Sequence, residues 1–155
     1  MLNRVVVTGL GALTPLGLNV QDFWKSLLNG ESGAADITSF NTEKFKTQFA
    51  CELKNFNAEK YLDKKELRKL DLFSVYALIA AEEAIKDCDL KLDEVNLDNC
   101  GVIWGSGIGG LKTMIDEIGD FFKGGGNPRF SPFFIPKMIS DIAAGLISIK
   151  YSFKG

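Results

Sequence analysis

The sequence predicts an α/β fold, and three observations carry the prediction. Residues 4–9 and 100–105 are short, nearly all-apolar runs that end in glycine-rich turns, the pattern of strands buried in a parallel sheet. Elsewhere apolar residues recur at i, i+3, i+4 and i+7, the spacing of amphipathic helices. Residues 72–81 are apolar on every side, which marks a helix packed on more than one face. Few strands accompany so much apolar helix, so the pattern reads as part of something larger.

The elements follow in order. After the first strand, Gly9, Gly11 and Gly17 with Pro15 make a turn that no helix can enter. Asn19 is an N-cap, and Val20, Phe23, Trp24, Leu27 and Leu28 form one apolar stripe before Gly30 stops the helix. Residues 31–54 are loop-rich, with a short strand over 47–53 and a helical turn over 58–61. Asp71 caps the all-apolar helix. Its polar end, Glu82, Glu83, Lys86 and Asp87, is expected at the surface. A polar connection over 89–99 leads to the second strand and a helix over 111–122, which Gly124, Gly125 and Gly126 break. Residues 131–136 read as an apolar loop stiffened by Pro132 and Pro136. A last helix is expected over 138–150.

Composition narrows the function classes. The 155 residues are 46% hydrophobic and 25% charged, with a net charge of -2. That is ordinary globular composition with no global attraction to nucleic acid. No apolar run is long enough to span a bilayer. Met1 leads almost directly into a strand, without room for a signal peptide, so a cytoplasmic protein is expected. The 3 cysteines, Cys51, Cys88 and Cys100, are far apart, and there is no His. No metal site and no Ser-His or Cys-His couple can be assembled from these residues.

Two stretches carry chemistry. Gly105, Gly107 and Gly110 satisfy G-x-G-x-x-G between a strand and a helix, the context of a dinucleotide-binding loop in an oxidoreductase. That fingerprint also asks for an acidic residue about 20 positions on. Here that region reads Arg129-Phe130-Ser131-Pro132, with no acid. The second stretch is the cationic cluster Lys64, Lys65, Arg68 and Lys69. On a helix these side chains share a face. Such a face is either plain solvated surface or a local patch that steers an acidic partner.

Taken together, several motifs resemble one family. They are Val5-Val6-Val7-Thr8-Gly9-Leu10-Gly11 with Thr14-Pro15-Leu16-Gly17, then Arg68-Lys69-Leu70-Asp71, Gly105-Ser106-Gly107-Ile108-Gly109-Gly110 and Ser131-Pro132-Phe133-Phe134-Ile135-Pro136. In this order they resemble the beta-ketoacyl synthases, the condensing enzymes of fatty-acid synthesis, and most of all the elongating synthase II type. The likeness runs the length of the chain. It implies a thiolase-like fold, an αβαβα sandwich of two related halves, and a homodimer. It implies decarboxylative condensation of malonyl-acyl-carrier-protein with an enzyme-bound acyl thioester, without a redox, nucleotide or metal cofactor. Residues 1–155 would be the N-terminal portion, ending before the family's nucleophilic Cys and its two His, so none of the residues here would be catalytic. By the same resemblance Ile108 lines the acyl tunnel, and Phe134 and Met138 close it from the second subunit. Lys65, Arg68 and Lys69 would hold acyl carrier protein, with Arg129 contributed by the other subunit.

Overall fold

The structure is a computed structural model and describes residues 4–155. Residues 1–3, on which the expectation of no leader rests, lie outside it. The chain divides into two compact units, one of residues 1–57 with 80–90, the other of residues 58–79 with 91–155.

In the first unit, α1 (Val20–Leu28) starts where the sequence puts it: the Asn19 side chain accepts the Asp22 N–H at 2.8 Å. Two short strands, β1 (Ala35–Asp36) and β2 (Phe49–Ala50), pair antiparallel, with Ala35 opposite Ala50. β2 falls inside the strand expected over 47–53. The Glu52 carboxylate, just after β2, accepts the Thr38 N–H at 2.9 Å and the Thr38 hydroxyl at 2.8 Å. Hydrogen bonds from the Ser39 hydroxyl and from the Thr38 amide and hydroxyl lower its pKa from 4.5 to about 2.

The helix α3 (Leu72–Asp87) is shared, Leu72 to Ile79 lying in the second unit and Ala80 to Asp87 in the first. Its polar end reaches the surface as expected at Lys86 and Asp87, and departs from the expectation at the half-buried Glu83. Glu82 and Lys86 form an exposed i,i+4 pair, but Glu83 accepts the Ala12 and Val20 N–H groups, each at 2.8 Å. Asp87 accepts the Leu10 N–H at 2.8 Å. These carboxylates take loop and helix-start donors that would otherwise lack a partner.

The second unit holds α2 (Lys64–Leu67), α4 (Leu111–Lys123), α5 (Phe134–Met138) and α6 (Ile142–Tyr151). Its core is Val75, Ala77, Leu78 and Ile79 of α3, Ala143 and Ile147 of α6, and Phe153. The all-round apolar sequence of α3 thus does pack inward here. The end of α4 is a Schellman turn: Gly126 N–H reaches Phe121 O at 2.9 Å and Gly125, at φ +70°, reaches Phe122 O at 3.2 Å.

Two expectations are corrected. Residues 4–9 and 100–105 form no strand ladder, because the described residues offer them no partner strand. Val5 stays 89% exposed and Ile103 fully so. Residues 134–136, read as the end of a loop, belong to one helical turn over Phe134–Met138. Pro136 is its third residue, where the missing N–H costs nothing because first-turn donors have no intrahelical acceptor. The last helix accordingly starts at Ile142, not 138.

Candidate functional site

The glycine turn and the cationic segment both lie in the second unit. In the turn, the Ser106 hydroxyl accepts the Gly109 N–H at 3.1 Å and so closes a loop around Ile108. Ile108 itself is 68% exposed. Gly109 has φ +78°, in the region that only glycine enters cheaply. A Cβ there would run into the Met138 carbonyl and come within 3.0 Å of Ser140 Cα. Gly110 N–H donates to Met138 O at 3.0 Å. The turn that carries Ile108 is therefore stitched to the segment that carries Met138. Gly105 and Gly107 have open space around them.

This geometry argues against a dinucleotide loop. A pyrophosphate would need the free N–H groups at the start of α4. Gly110 N–H is taken by Met138 O, and Thr113 N–H by the Asp71 carboxylate at 3.2 Å. A fixed carboxylate stands where the fingerprint needs an anion-accepting end.

Phe134 is half-buried and belongs to an aromatic ladder. It stacks on Phe130 with centroids 5.6 Å apart, and Phe130 stacks on Phe121 at 5.6 Å. The Glu117 carboxylate accepts the Ser131 N–H at 3.0 Å and ties the same loop to α4. Sequence reasoning did not single out Phe121, Phe130 or Glu117. Nothing in their local spacing shows contacts that close only when a glycine-ended helix turns back.

The cationic residues sit on and just after α2. The Asp63 side chain caps it, accepting Lys65 N–H at 2.7 Å and Glu66 N–H at 2.9 Å. The Asp63-x-x-Glu66 spacing was a legible signal for this cap. Lys64 pairs with Glu59 at 3.4 Å. Lys65, Arg68 and Lys69 are exposed and form no ion pair among the described residues. Lys69 also borders a cleft of about 700 Å³ whose walls include Leu78, Phe133, Ile142 and Leu146. Ile108, Phe134 and Met138 do not line that cleft. Arg129 is exposed in the loop after α4, apart from the α2 cluster in sequence.

The described residues contain no group of His, Cys, Asp and Glu that could hold a metal ion. They also contain no helix long and apolar enough to cross a membrane. Cys51 is exposed, and the Cys88 and Cys100 thiols face backbone carbonyls of Ile85 and Asn96.

Comparison with known proteins places this arrangement. A family model for the beta-ketoacyl synthase N-terminal domain matches residues 2–155. The chain is 46% identical over 153 residues to 3-oxoacyl-[acyl-carrier-protein] synthase 2 of Staphylococcus aureus (strain COL), covering 98% of this chain and 36% of that protein. It is 43% identical over 152 residues to the protein of the same name from Synechocystis sp., again covering 98% of this chain and 36% of the relative. The chain thus spans little more than a third of the curated relatives it matches. Among solved structures, a beta-ketoacyl synthase from Burkholderia phymatum STM815 superposes with a TM-score of 0.78 at 25% identity, over 99% of this chain and 38% of that one. A type II PKS ketosynthase (AntDE), in complex with its acyl-carrier protein (AntF) and bound to the hexaketide, superposes with a TM-score of 0.77 at 26% identity. It covers 96% of this chain and 39% of the neighbour. The backbone is thus the N-terminal portion of a thiolase-like fold. The glycine turn, the cationic segment and the Ser131–Pro136 stretch all fall within the matched residues, and the chain belongs to the beta-ketoacyl synthase family.

Proposed function

We propose that the full-length protein carrying this chain elongates acyl chains in fatty acid biosynthesis, as a cytoplasmic homodimer. An acyl group held as a thioester on a cysteine is attacked by C2 of malonyl-acyl-carrier-protein as CO2 leaves. The new C–C bond expels the thiolate and yields a 3-oxoacyl product. In this reading the nucleophile and the histidines belong to the rest of the enzyme, since the chain has no His and its thiols lie elsewhere. Its own share is docking and selection. Lys65, Arg68 and Lys69 receive an acidic carrier protein, with Arg129 of the second subunit joining them. Ile108 lines the acyl tunnel, and Phe134 and Met138 close it from across the dimer.

The observation that carries the docking role is the exposed trio Lys65, Arg68 and Lys69 on and just after the Asp63-capped α2, which form no ion pair among the described residues. The neighbour solved with its acyl-carrier protein supports the same partner class. Exposed charge pairs are worth about 0.2–1 kcal/mol each and act mainly on encounter. Reversing both Lys65 and Lys69 to Glu loses two attractions and adds two repulsions. In the intact synthase, KM for carrier-protein substrates should then rise on the order of tenfold at low salt, and less at high salt. Turnover of small thioester analogues should hold. Equal damage to both substrate classes would make the patch a packing feature and refute the docking role.

A further inference from the structure

Asp71 does more than cap α3. One carboxylate oxygen accepts the Phe73 N–H at 3.3 Å at the start of that helix. The other accepts both the Thr113 hydroxyl at 2.6 Å and the Thr113 N–H at 3.2 Å, in the first turn of α4. The residue therefore joins two helix starts that are 42 positions apart in sequence. Both helix ends present unsatisfied donors, and a carboxylate suits the positive end of each dipole.

Its position in the chain gives the junction a use. Asp71 follows directly on Arg68-Lys69-Leu70, and that segment is stiff: Lys69 N–H reaches Glu66 O at 2.8 Å and Leu70 N–H reaches Leu67 O at 3.3 Å. Thr113 follows the Ile108 turn by a single helical turn. Gly110, between them, is bonded to Met138. One carboxylate thus references the turn bearing Ile108 to the segment bearing the cationic face. Gly110 has no side chain to cap α4 for itself, so the side-chain cap comes from Asp71.

We propose that Asp71 is a positioning residue. Through Thr113 it fixes the Ile108 turn relative to the cationic segment, and so sets which acyl chain lengths the enzyme accepts. The proposal rests on the reading of Ile108 as a tunnel residue. Without the Asp71 carboxylate the start of α4 is held to the rest of the unit through the bond from Gly110 N–H to Met138 O. Ile108 then samples more than one position, and discrimination between long and short acyl chains flattens.

The test uses the intact synthase with Asp71→Asn, Thr113→Val, Thr113→Ser and Ile108→Phe. Two quantities are measured: the ratio of kcat/KM for a long and a short acyl primer, and hydrogen exchange of the Thr113 amide. Hydrogen bonds to a charged group are strong enough that Asp71→Asn should move the ratio on the order of tenfold, with faster exchange at Thr113. Thr113→Val, which keeps its N–H bond, should move it less, and Thr113→Ser should restore the native ratio. The double variant Asp71→Asn/Thr113→Val should be no worse than Asp71→Asn, because the two residues act as one unit. An unchanged ratio in Asp71→Asn, even with a lowered Tm, overturns the proposal, as does a Thr113→Ser variant as impaired as Thr113→Val. Ile108→Phe separates the two layers. It should shorten the longest accepted chain and leave Thr113 exchange alone. If chain length does not respond to Ile108→Phe while Asp71→Asn still speeds exchange, the tunnel reading falls and the clamp is structural only.

Discussion

Gly109→Ala is the sharpest single perturbation of this fold, and Gly107→Ala is its control two residues away. Gly109 has φ +78°. A Cβ at that φ costs about 1–2 kcal/mol in backbone energy alone. The added methyl also meets the Met138 carbonyl and Ser140 Cα, both backbone atoms that cannot swing aside. Overpacking of that kind costs about 1–3 kcal/mol. Moving the backbone to relieve it stretches the bond from Gly110 N–H to Met138 O, worth about 0.5–1.5 kcal/mol. The sum is a destabilisation of about 2.5–6.5 kcal/mol. Gly107 has open space around it and no positive φ. Alanine there should be neutral or stabilising by up to about 1 kcal/mol through the unfolded chain. Urea denaturation of the intact synthase and its two variants reads the difference. Gly109→Ala within about 0.5 kcal/mol of wild type would refute the close packing of the turn on Met138, since that is the range of a plain surface change.

Two further outcomes follow from the same structure. The Glu52 carboxyl has its pKa lowered to about 2 in the folded chain, so its anchoring of Thr38 is in full force above the ordinary value of 4.5 and is lost as pH falls through about 2. The Thr38 amide shift in an NMR titration should carry that low midpoint and lose it in Glu52→Gln; a midpoint near 4.5 would contradict the hydrogen-bond geometry. The 155-residue chain on its own should bind an apolar dye and self-associate, because Val5, Val7, Trp24, Ile103 and Ile115 are all exposed. A monodisperse monomer with a sharp thermal transition and no dye binding would count against this.

The local features of the fold were legible where a side chain acts on its own neighbours. Asn19 and Asp71 announce helix starts, the stripe from Val20 to Leu28 predicts α1, and the glycines at 124–126 end α4. Strands were harder, because a strand is a relation between two segments. Residues 4–9 and 100–105 have the right composition, yet the described residues hold no partner for them. The opposite happened with β1, whose two residues pair with β2 while showing no alternation worth reading. Long-range polar contacts were not legible at all. Glu83 reaches Val20 across 63 positions and Asp71 reaches Thr113 across 42, and both looked like ordinary surface or cap residues. At the candidate site the cationic cluster and the glycine turn stood out by composition. What holds them, Asp63, Asp71, Glu117 and the Phe121–Phe130–Phe134 ladder, emerged only from the packing.

The most direct measurement is product formation from acyl- and malonyl-acyl-carrier-protein, run in parallel on the intact synthase and on the 155-residue chain. The account predicts 3-oxoacyl product from the intact enzyme and none from the chain, which has no His. Product from the chain alone, or none from the intact enzyme, would contradict it.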